Sequence, residues 1–481
     1  MALPDASRLL AIGEDGWAAL SERLRSIGLS PARALEVSSS GRESSSLPRQ
    51  PLKVWRARKT KDPALFAMRM LFMHDPVTLE EATEALGLLL DRLFLGGLIV
   101  RGEAGIFSPL RLHYANDILL LSDDLIHGGD AVMGAGETTG ELARMAYPAD
   151  KRSSALDLGC GAGTFALLLS RLAPRVVGTD INPRAVALSR INAALNGIRT
   201  IEWRQGDLFA PVVGETFELI VSQPPFIPRH EGSADATYLF GGARGDELPL
   251  RVLRELPPYL APGGRAVMLI MWPQFEGESL EARVRQAVSD SSLGITLFVS
   301  TPLDLDDWCT MYSAREHPTL GPEFDRTTIS RREHLERAKI RALSMSATVV
   351  ERPAHGCGWT STVPLAMMSR LGHVHIDAAL AARRLMAGPS QALLAAKLRA
   401  PPTATFTEDA AGQVHVRFDY DSPWAPLDIN AATYTLVGAL DESPDVQTAV
   451  DAVHARTRAP REKIMSAVEQ ALAHGVVEVV A

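Results

Sequence analysis

Four stretches of this chain carry residues able to do chemistry, and each stands where an apolar run stops. The first, ALDLGCGAGTF (155–165), sets Gly159, Gly161 and Gly163 at a strand-to-helix turn. Glycine belongs where backbone turns tightly or comes close to a ligand, and a helix N-terminus follows. A dinucleotide G-x-G-x-x-G would need glycine at 164, where Thr164 stands, and Asp157 before the turn suits an ammonium group better than a pyrophosphate. The second and third stretches, RVVGTD and QGDLF, end in Asp180 and carry Asp207 with Leu208. An acid roughly 20 residues past the glycine turn can accept both hydroxyls of a ribose. An acid after the next strand can accept from an adenine amino group, with Leu208 lining the ring. Plainer roles compete: Asp180 as cap of the helix opening at Asn182 and Pro183, Asp207 as a turn former.

The fourth stretch is VSQPPF (221–226). Pro224 and Pro225 donate no backbone hydrogen bond, have a fixed φ, and each biases the residue before it towards an extended conformation. A stiff turn with uncommitted carbonyls results, flanked by the Gln223 amide and the Phe226 ring.

Short apolar runs must position these groups. SSALDLGCG, RVVGTD, IEWRQGD, FELIVSQ, RAVMLIM, GITLFVS and SATVVER alternate with segments of helical spacing such as NPRAVALSRINAALNG. Such alternation predicts an α/β, Rossmann-like, doubly wound sheet.

DLGCGAG, the strand-end TD and GD, and the proline-proline-aromatic motif resemble the class I S-adenosylmethionine-dependent methyltransferases. QPPF with FGGARGDELPLRVLREL (240–256) is similar to the subgroup containing the bacterial release-factor glutamine methyltransferases, which carry a like glycine-rich, arginine-containing segment after an N-P-P-Y motif. GAGETTGEL (134–142) is similar to that family's pre-strand segment, in which Glu-Thr contacts the cofactor. The resemblance covers residues 115–280 and implies a seven-stranded methyltransferase sheet. It implies S-adenosyl-L-methionine as cofactor, held by Glu137, Thr138, Asp157, Gly159, Gly161, Gly163, Asp180, Asp207 and Leu208. It further implies that the Gln223 side-chain oxygen and the Pro224 carbonyl accept from the acceptor's N–H groups. Phe226 would pack over the reacting nitrogen, and Pro225, His230 and Tyr238 would line the acceptor. Gln223 departs from the family's Asn, Asp or Ser; one extra methylene points to a differently angled nitrogen, such as an aliphatic amine. Glu231 and Asp246 lie in the same stretch and read as ordinary loop residues.

The chain has 481 residues, 46% hydrophobic, and a formal net charge of −8, which argues against wholesale phosphate binding. Its dense basic segment, KVWRARKTK (53–61), reads as a solvated face. Three scattered cysteines exclude a disulfide framework, and neither a signal peptide nor a membrane span is evident, so a cytoplasmic location is expected. HVHID (373–377) is read as an extended surface segment, and no metal is expected.

Four regions are expected. Residues 1–50 are a helical N-terminus with the serine-rich linker SSSGRESSSL, and 51–114 a winged-helix-like domain. Residues 115–353 are the methyltransferase domain with a helical insertion near 303–343. Residues 371–481 form a second winged-helix-like region, similar in layout to peptide-recognition domains that add a bound peptide to their sheet. The reading that follows is N-methylation of an amine or amide nitrogen in a peptide or protein, including ribosomally made peptide natural products. Methylation of a nucleic-acid base and a cofactor-binding winged-helix regulator are the alternatives.

Overall fold

A computed structural model describes residues 3–38, 49–123, 129–148, 150–231, 238–317, 319–354 and 357–480. Most of the serine-rich linker lies outside them. The centre is a mixed sheet of eight strands: β1 (Ser154–Leu158), β2 (Arg175–Asp180), β3 (Ile201–Gln205), β4 (Phe217–Ser222), β5 (Leu260–Phe275), β6 (Gly294–Ser300), β7 (Ile340–Glu351) and β8 (Thr360–Leu365). Their order is β8-β6-β7-β5-β4-β1-β2-β3. The sheet therefore has one strand more than the seven expected. β8 pairs parallel to β6 from Ile295↔Thr360 to Ser300↔Leu365. TSTVPL hides in the sequence because an edge strand tolerates proline and needs no continuous apolar run.

The chain divides into two compact units. The first comprises Met1–Gly140, Arg152–Val213 and Ala234–Tyr238. Here β1 and β2 run parallel with Asp157 opposite Gly178, and β2 and β3 run parallel with Gly178 opposite Trp203. Among the described residues, seven α-helices between Ala6 and Gly96 and two hairpins, Val100–Gly102 with Gly105–Phe107 and Arg111–Ala115 with Ile118–Ser122, precede β1. Leu9, Trp17, Leu24 and Met68 share one core with Leu188 and Ile191 of the helix Pro183–Leu195.

Two asparagines tie that helix to the second hairpin. Asn192 accepts from the Leu121 N–H at 2.7 Å and donates to the Leu121 carbonyl at 3.0 Å; Asn196 does the same for Leu119 at 3.0 and 2.7 Å. Their spacing of four puts both amides on one helix face, where they complete a strand's hydrogen bonding as a neighbouring strand would.

The second unit comprises Glu141–Lys151, Gly214–Ser233 and Leu239–Ala481. β7 runs antiparallel to both β5 and β6. The helices Leu305–Glu316 and Pro322–Arg337 are inserted between β6 and β7. Asp304 caps the first, and its buried Trp308 donates to the Met271 sulfur of β5 at 3.0 Å. Further on, an antiparallel meander (Ala404–Glu408, Gln413–Phe418, Leu427–Asn430) precedes helices Ala431–Glu442, Val446–Thr457 and Arg461–Ala473, which pack over Val414, Leu436, Val450 and Val468.

HVHID is not extended: it opens the helix His373–Ala387. His375 Nδ1 accepts from the Gly372 N–H at 3.1 Å, and Asp377 pairs with Arg265 of β5. Two alternating residues are too few to separate a strand's period from a helix's first turn, and the tertiary partners decide. Among the described residues no helix is long and apolar enough to cross a membrane.

Candidate cofactor and acceptor sites

The glycine turn leaves β1 with three left-handed residues, φ being 77° at Gly159, 53° at Gly161 and 82° at Gly163. The Gly159 and Cys160 N–H groups both donate to the Thr179 carbonyl at 2.8 Å, pinning the turn to β2. A Cβ at Gly159 or Gly161 would meet open space, whereas at Gly163 it would come within 2.8 Å of Trp203 and 2.9 Å of Ser189. The first two glycines thus leave a cradle and the third allows close packing. Two residues unnoticed in the sequence hold the turn's carbonyls: Ser189 Oγ donates to Gly161 at 2.9 Å and Asn192 Nδ2 to Ala162 at 2.8 Å.

Asp157 is fully buried and its Oδ2 accepts from the Ala166 N–H at 2.8 Å, within the helix that follows the turn. Burial pushes its pKa up to about 7; the Ala166 N–H opposes this and the negative charge of Asp180 adds to it. Its Oδ1 has no partner among the described residues. Through this bond the carboxylate links the end of β1 to the helix after the turn.

Asp180 ends β2 with Oδ2 accepting from Gly161 N–H and Oδ1 from Asn182 N–H, both at 2.9 Å. Burial raises its pKa against the pull of these amides. The helix cap that competed as its role is made by Asn182, whose Oδ1 accepts from Arg184 N–H at 2.9 Å. Each Asp180 oxygen keeps acceptor capacity for a further hydrogen bond. Ile181 beside it is 62% exposed, a large aliphatic side chain that no sequence motif marks.

After β3 the Gly206 N–H donates to the Asp180 carbonyl at 2.9 Å, bringing the backbone beside Asp207 to Asp180. Leu208 has φ 44°, an uncommon conformation for a branched residue. Glu137 opens the helix Glu137–Ala146, with Thr138 next and Gly136 N–H donating to Thr139 Oγ1 at 3.2 Å. The open cradle and the residual acceptor capacity of Asp180 fit a nucleoside ligand with vicinal hydroxyls. Tyr238 also belongs to this unit. Burial raises its hydroxyl pKa, as does the charge of Asp123, itself ion-paired to Arg184 with a 2.7 Å hydrogen bond.

In the second unit, β4 delivers Gln223, partly exposed, then buried Pro224, half-buried Pro225 and Phe226, which is only 8% exposed. Ile227–Pro228 then pairs in parallel with Phe240–Gly242, the Arg229 N–H donating to Gly242 at 2.9 Å. Here the two motifs of the resemblance meet. A Cβ on Gly241 would fall 2.6 Å from the Pro225 carbonyl, and one on Gly245 2.5 Å from the Phe226 carbonyl. These glycines let one loop lie against the other's backbone.

The inserted helix Pro322–Arg337 holds both loops. His334 Nε2 donates to the Ala243 carbonyl at 2.6 Å, and Ser330 Oγ lies 3.3 Å from His230 Nδ1. Burial lowers the His230 pKa and the Arg331 charge lowers it further. Behind the glycine-rich loop, Arg244 and Arg283 stand 4.0 and 4.8 Å from the Phe275 ring. Both pair with Asp246, whose carboxyl pKa is raised by burial. An open cleft of about 1020 Å³ follows, lined by Arg244, Phe275, Asp304, Arg332 and Lys339 among others.

The strand order, with β1 at the switch point and β7 antiparallel, and the glycine turn after β1 define a class I S-adenosylmethionine-dependent methyltransferase domain. Residues 141–244 match the methyltransferase small domain family, and the same part of the chain is similar to release factor glutamine methyltransferases. The chain is 37% identical over 133 residues to a candidate protein N5-glutamine methyltransferase of Methanocaldococcus jannaschii, covering 27% of this chain and 66% of the relative. It is 33% identical over 142 residues to the release factor glutamine methyltransferase of Xylella fastidiosa, 28% of this chain and 51% of the relative. It is also 34% identical over 114 residues to the ribosomal RNA small subunit methyltransferase C of Alcanivorax borkumensis, 24% of this chain and 31% of the relative. The chain spans less than two thirds of the length of each.

Proposed function

We propose that this protein is an S-adenosylmethionine-dependent N-methyltransferase acting on an amide or amine nitrogen of a protein or peptide. The observation that carries the reading is the packing of the Gly241 and Gly245 loop on the Pro225 and Phe226 carbonyls. It supports a rigid acceptor motif of the kind the glutamine-modifying relatives' names imply.

The cofactor, when bound, supplies an electrophilic methyl group. Gly159 and Gly161 give it room, Asp180 accepts its ribose hydroxyls, and Ile181 and Leu208 border the base beside Asp207. Glu137 and Thr138 close the other side, while Asp157 is a positioning residue under the turn. Gln223 Oε1 and the Pro224 carbonyl accept hydrogen bonds from the acceptor nitrogen and aim its lone pair; orientation of this kind carries most of the acceleration in a displacement. Phe226 and Pro225 wall the nitrogen, and His230 shapes the loop. The longer Gln223 side chain admits an aliphatic amine as well as a carboxamide. The C-terminal meander, with its Ala404–Glu408 edge, is the proposed docking strand for the acceptor chain, a ribosomally made peptide included.

The ribosomal RNA relative supports base methylation as the second reading. Transfer of radiolabelled methyl groups into cell extract separates the two. Label in protein that is released as methylamine on hydrolysis is expected for an amide acceptor, and label retained on an amino group for an amine. Label confined to nucleic acid would overturn the proposal.

A further inference from the structure

We infer that His113 is a positioning residue for the cofactor: it latches the segment that carries Glu137 and Thr138 to the hairpin Arg111–Ala115 with Ile118–Ser122. The inference rests on the proposed reading that Glu137 and Thr138 close one side of the cofactor site. His113 lies outside residues 115–280, the span of the family resemblance.

The register of the hairpin decides which way the ring faces. Arg111 pairs with Ser122 and His113 with Leu120, so His113 and Ser122 share one face. Gly134 rests on that face. A Cβ there would come within 2.4 Å of the His113 ring and 2.6 Å of Ser122 Oγ, so glycine is what lets the segment lie this close. One residue on, the Ala135 N–H donates to His113 Nε2 at 3.2 Å. An accepting Nε2 puts the proton of the neutral ring on Nδ1. Burial brings the ring's pKa down to about 4, the Arg111 charge adding to this and its backbone opposing it, so Nε2 can accept at neutral pH.

The hairpin is itself fixed to the Asp180 side of the site. Asn192 and Asn196 join its Ile118–Ser122 strand to the helix Pro183–Leu195, which starts just past Asp180. Upstream, Asn182 Nδ2 donates to the Asp130 carbonyl at 2.9 Å and the Val132 N–H to Asp123 Oδ2 at 2.8 Å. Between Val132 and Glu137 the bond from Ala135 to His113 is the one long-range hydrogen bond among the described residues. Loss of this latch leaves Gly134–Thr138 to be ordered by the ligand. A site assembled only part of the time loses apparent affinity by that fraction.

The test is hydrogen–deuterium exchange over residues 134–140 of the full chain, with and without S-adenosylhomocysteine, together with calorimetric affinity for that ligand. In the wild type the bound ligand should slow exchange in this segment. His113→Leu keeps apolar bulk but offers no acceptor; it should speed exchange in the free protein and weaken S-adenosylhomocysteine about tenfold. His113→Gln, whose amide oxygen can extend towards the Nε2 position, should bring affinity back to within about threefold of wild type. His113→Asn, too short to reach Ala135, supplies the same contrast with glutamine if the leucine variant does not fold. Ligand protection of 134–140 in the wild type, combined with wild-type affinity in the leucine or asparagine variant, would overturn the inference alone. Equal losses in the glutamine variant would also overturn it, because the ring's packing rather than its acceptor would then matter. No protection of 134–140 in a wild type that still binds S-adenosylhomocysteine would remove the reading of Glu137 and Thr138, and the inference with it.

Discussion

The glycine turn and the Gln223 motif end neighbouring kinds of strand, yet they are held in opposite ways. The carbonyls of the turn are fixed by Ser189 and Asn192, 28 and 30 residues along the chain. The loops at the acceptor motif are fixed by Ser330 and His334, 100 and 91 residues away on an inserted helix. A site built from near neighbours is written compactly and can be recognised from a short stretch. One braced by a remote insertion can be re-tuned without touching its motif, which suits the half that selects an acceptor.

That contrast can be broken most sharply at Gly241. Gly241→Ala should push the glycine-rich loop off the Pro225 carbonyl and lower kcat/KM about a hundredfold or more, because small misplacements are costly in an oriented displacement. S-adenosylhomocysteine affinity, read by calorimetry, should change less than about twofold; a matching loss of both would show that the loops do not act on the acceptor side alone. Gln223→Ala should cut kcat by roughly 10- to 100-fold, with cofactor affinity retained. Asp180→Ala should do the reverse, weakening the cofactor by about 10- to 100-fold as charge-assisted hydrogen bonds are lost. Indistinguishable profiles for these two variants would dissolve the division of labour.

A smaller effect is expected at the brace itself. His334→Ala removes one hydrogen bond to the Ala243 carbonyl, worth about 1 kcal/mol, and should lower kcat/KM several-fold without altering cofactor binding. No change in kcat/KM would reduce the insertion to packing. The least visible test is pH. Asp157 is raised in the folded state to about 7 from an ordinary value near 4. Between those values the folded protein holds a proton that the unfolded chain has lost, so this group's contribution to stability is present at the acid end and is lost as pH rises through about 7. Asp157→Asn should therefore flatten the pH dependence of the unfolding free energy relative to wild type, by an amount on the order of 1–4 kcal/mol across pH 4–8. Parallel curves would mean that the carboxyl ionises as an ordinary one.

How much of this was legible in the residues follows the same line. The glycine turn and the strand ends that carry Asp180 and Asp207 could be read because each glycine answers a backbone need and each acid closes an apolar run. Ser189 and Asn192 were missed although RINAALNG spaces two asparagines by four, since the same spacing on an exposed helix face means nothing without the strand they complete. Asp157 could be singled out at a strand end, but its complete burial and its bond to the Ala166 N–H could not, because both depend on how the turn and helix fold over it. FGGARG was noticed as a stretch, while the reason for Gly241 and Gly245 appeared only with the carbonyls they rest on.

By itself the sequence determined the alternation of elements, the class of the central domain and the identity of the groups at its strand ends, since these depend on local backbone requirements and periodicity. The tertiary structure alone decided the eighth strand, the helical start at His373, the burial of Asp157 and the bracing of the acceptor loops by the inserted helices. Each of those depends on a partner distant in the chain, and a burial or hydrogen bond that needs two remote segments leaves no mark in either one.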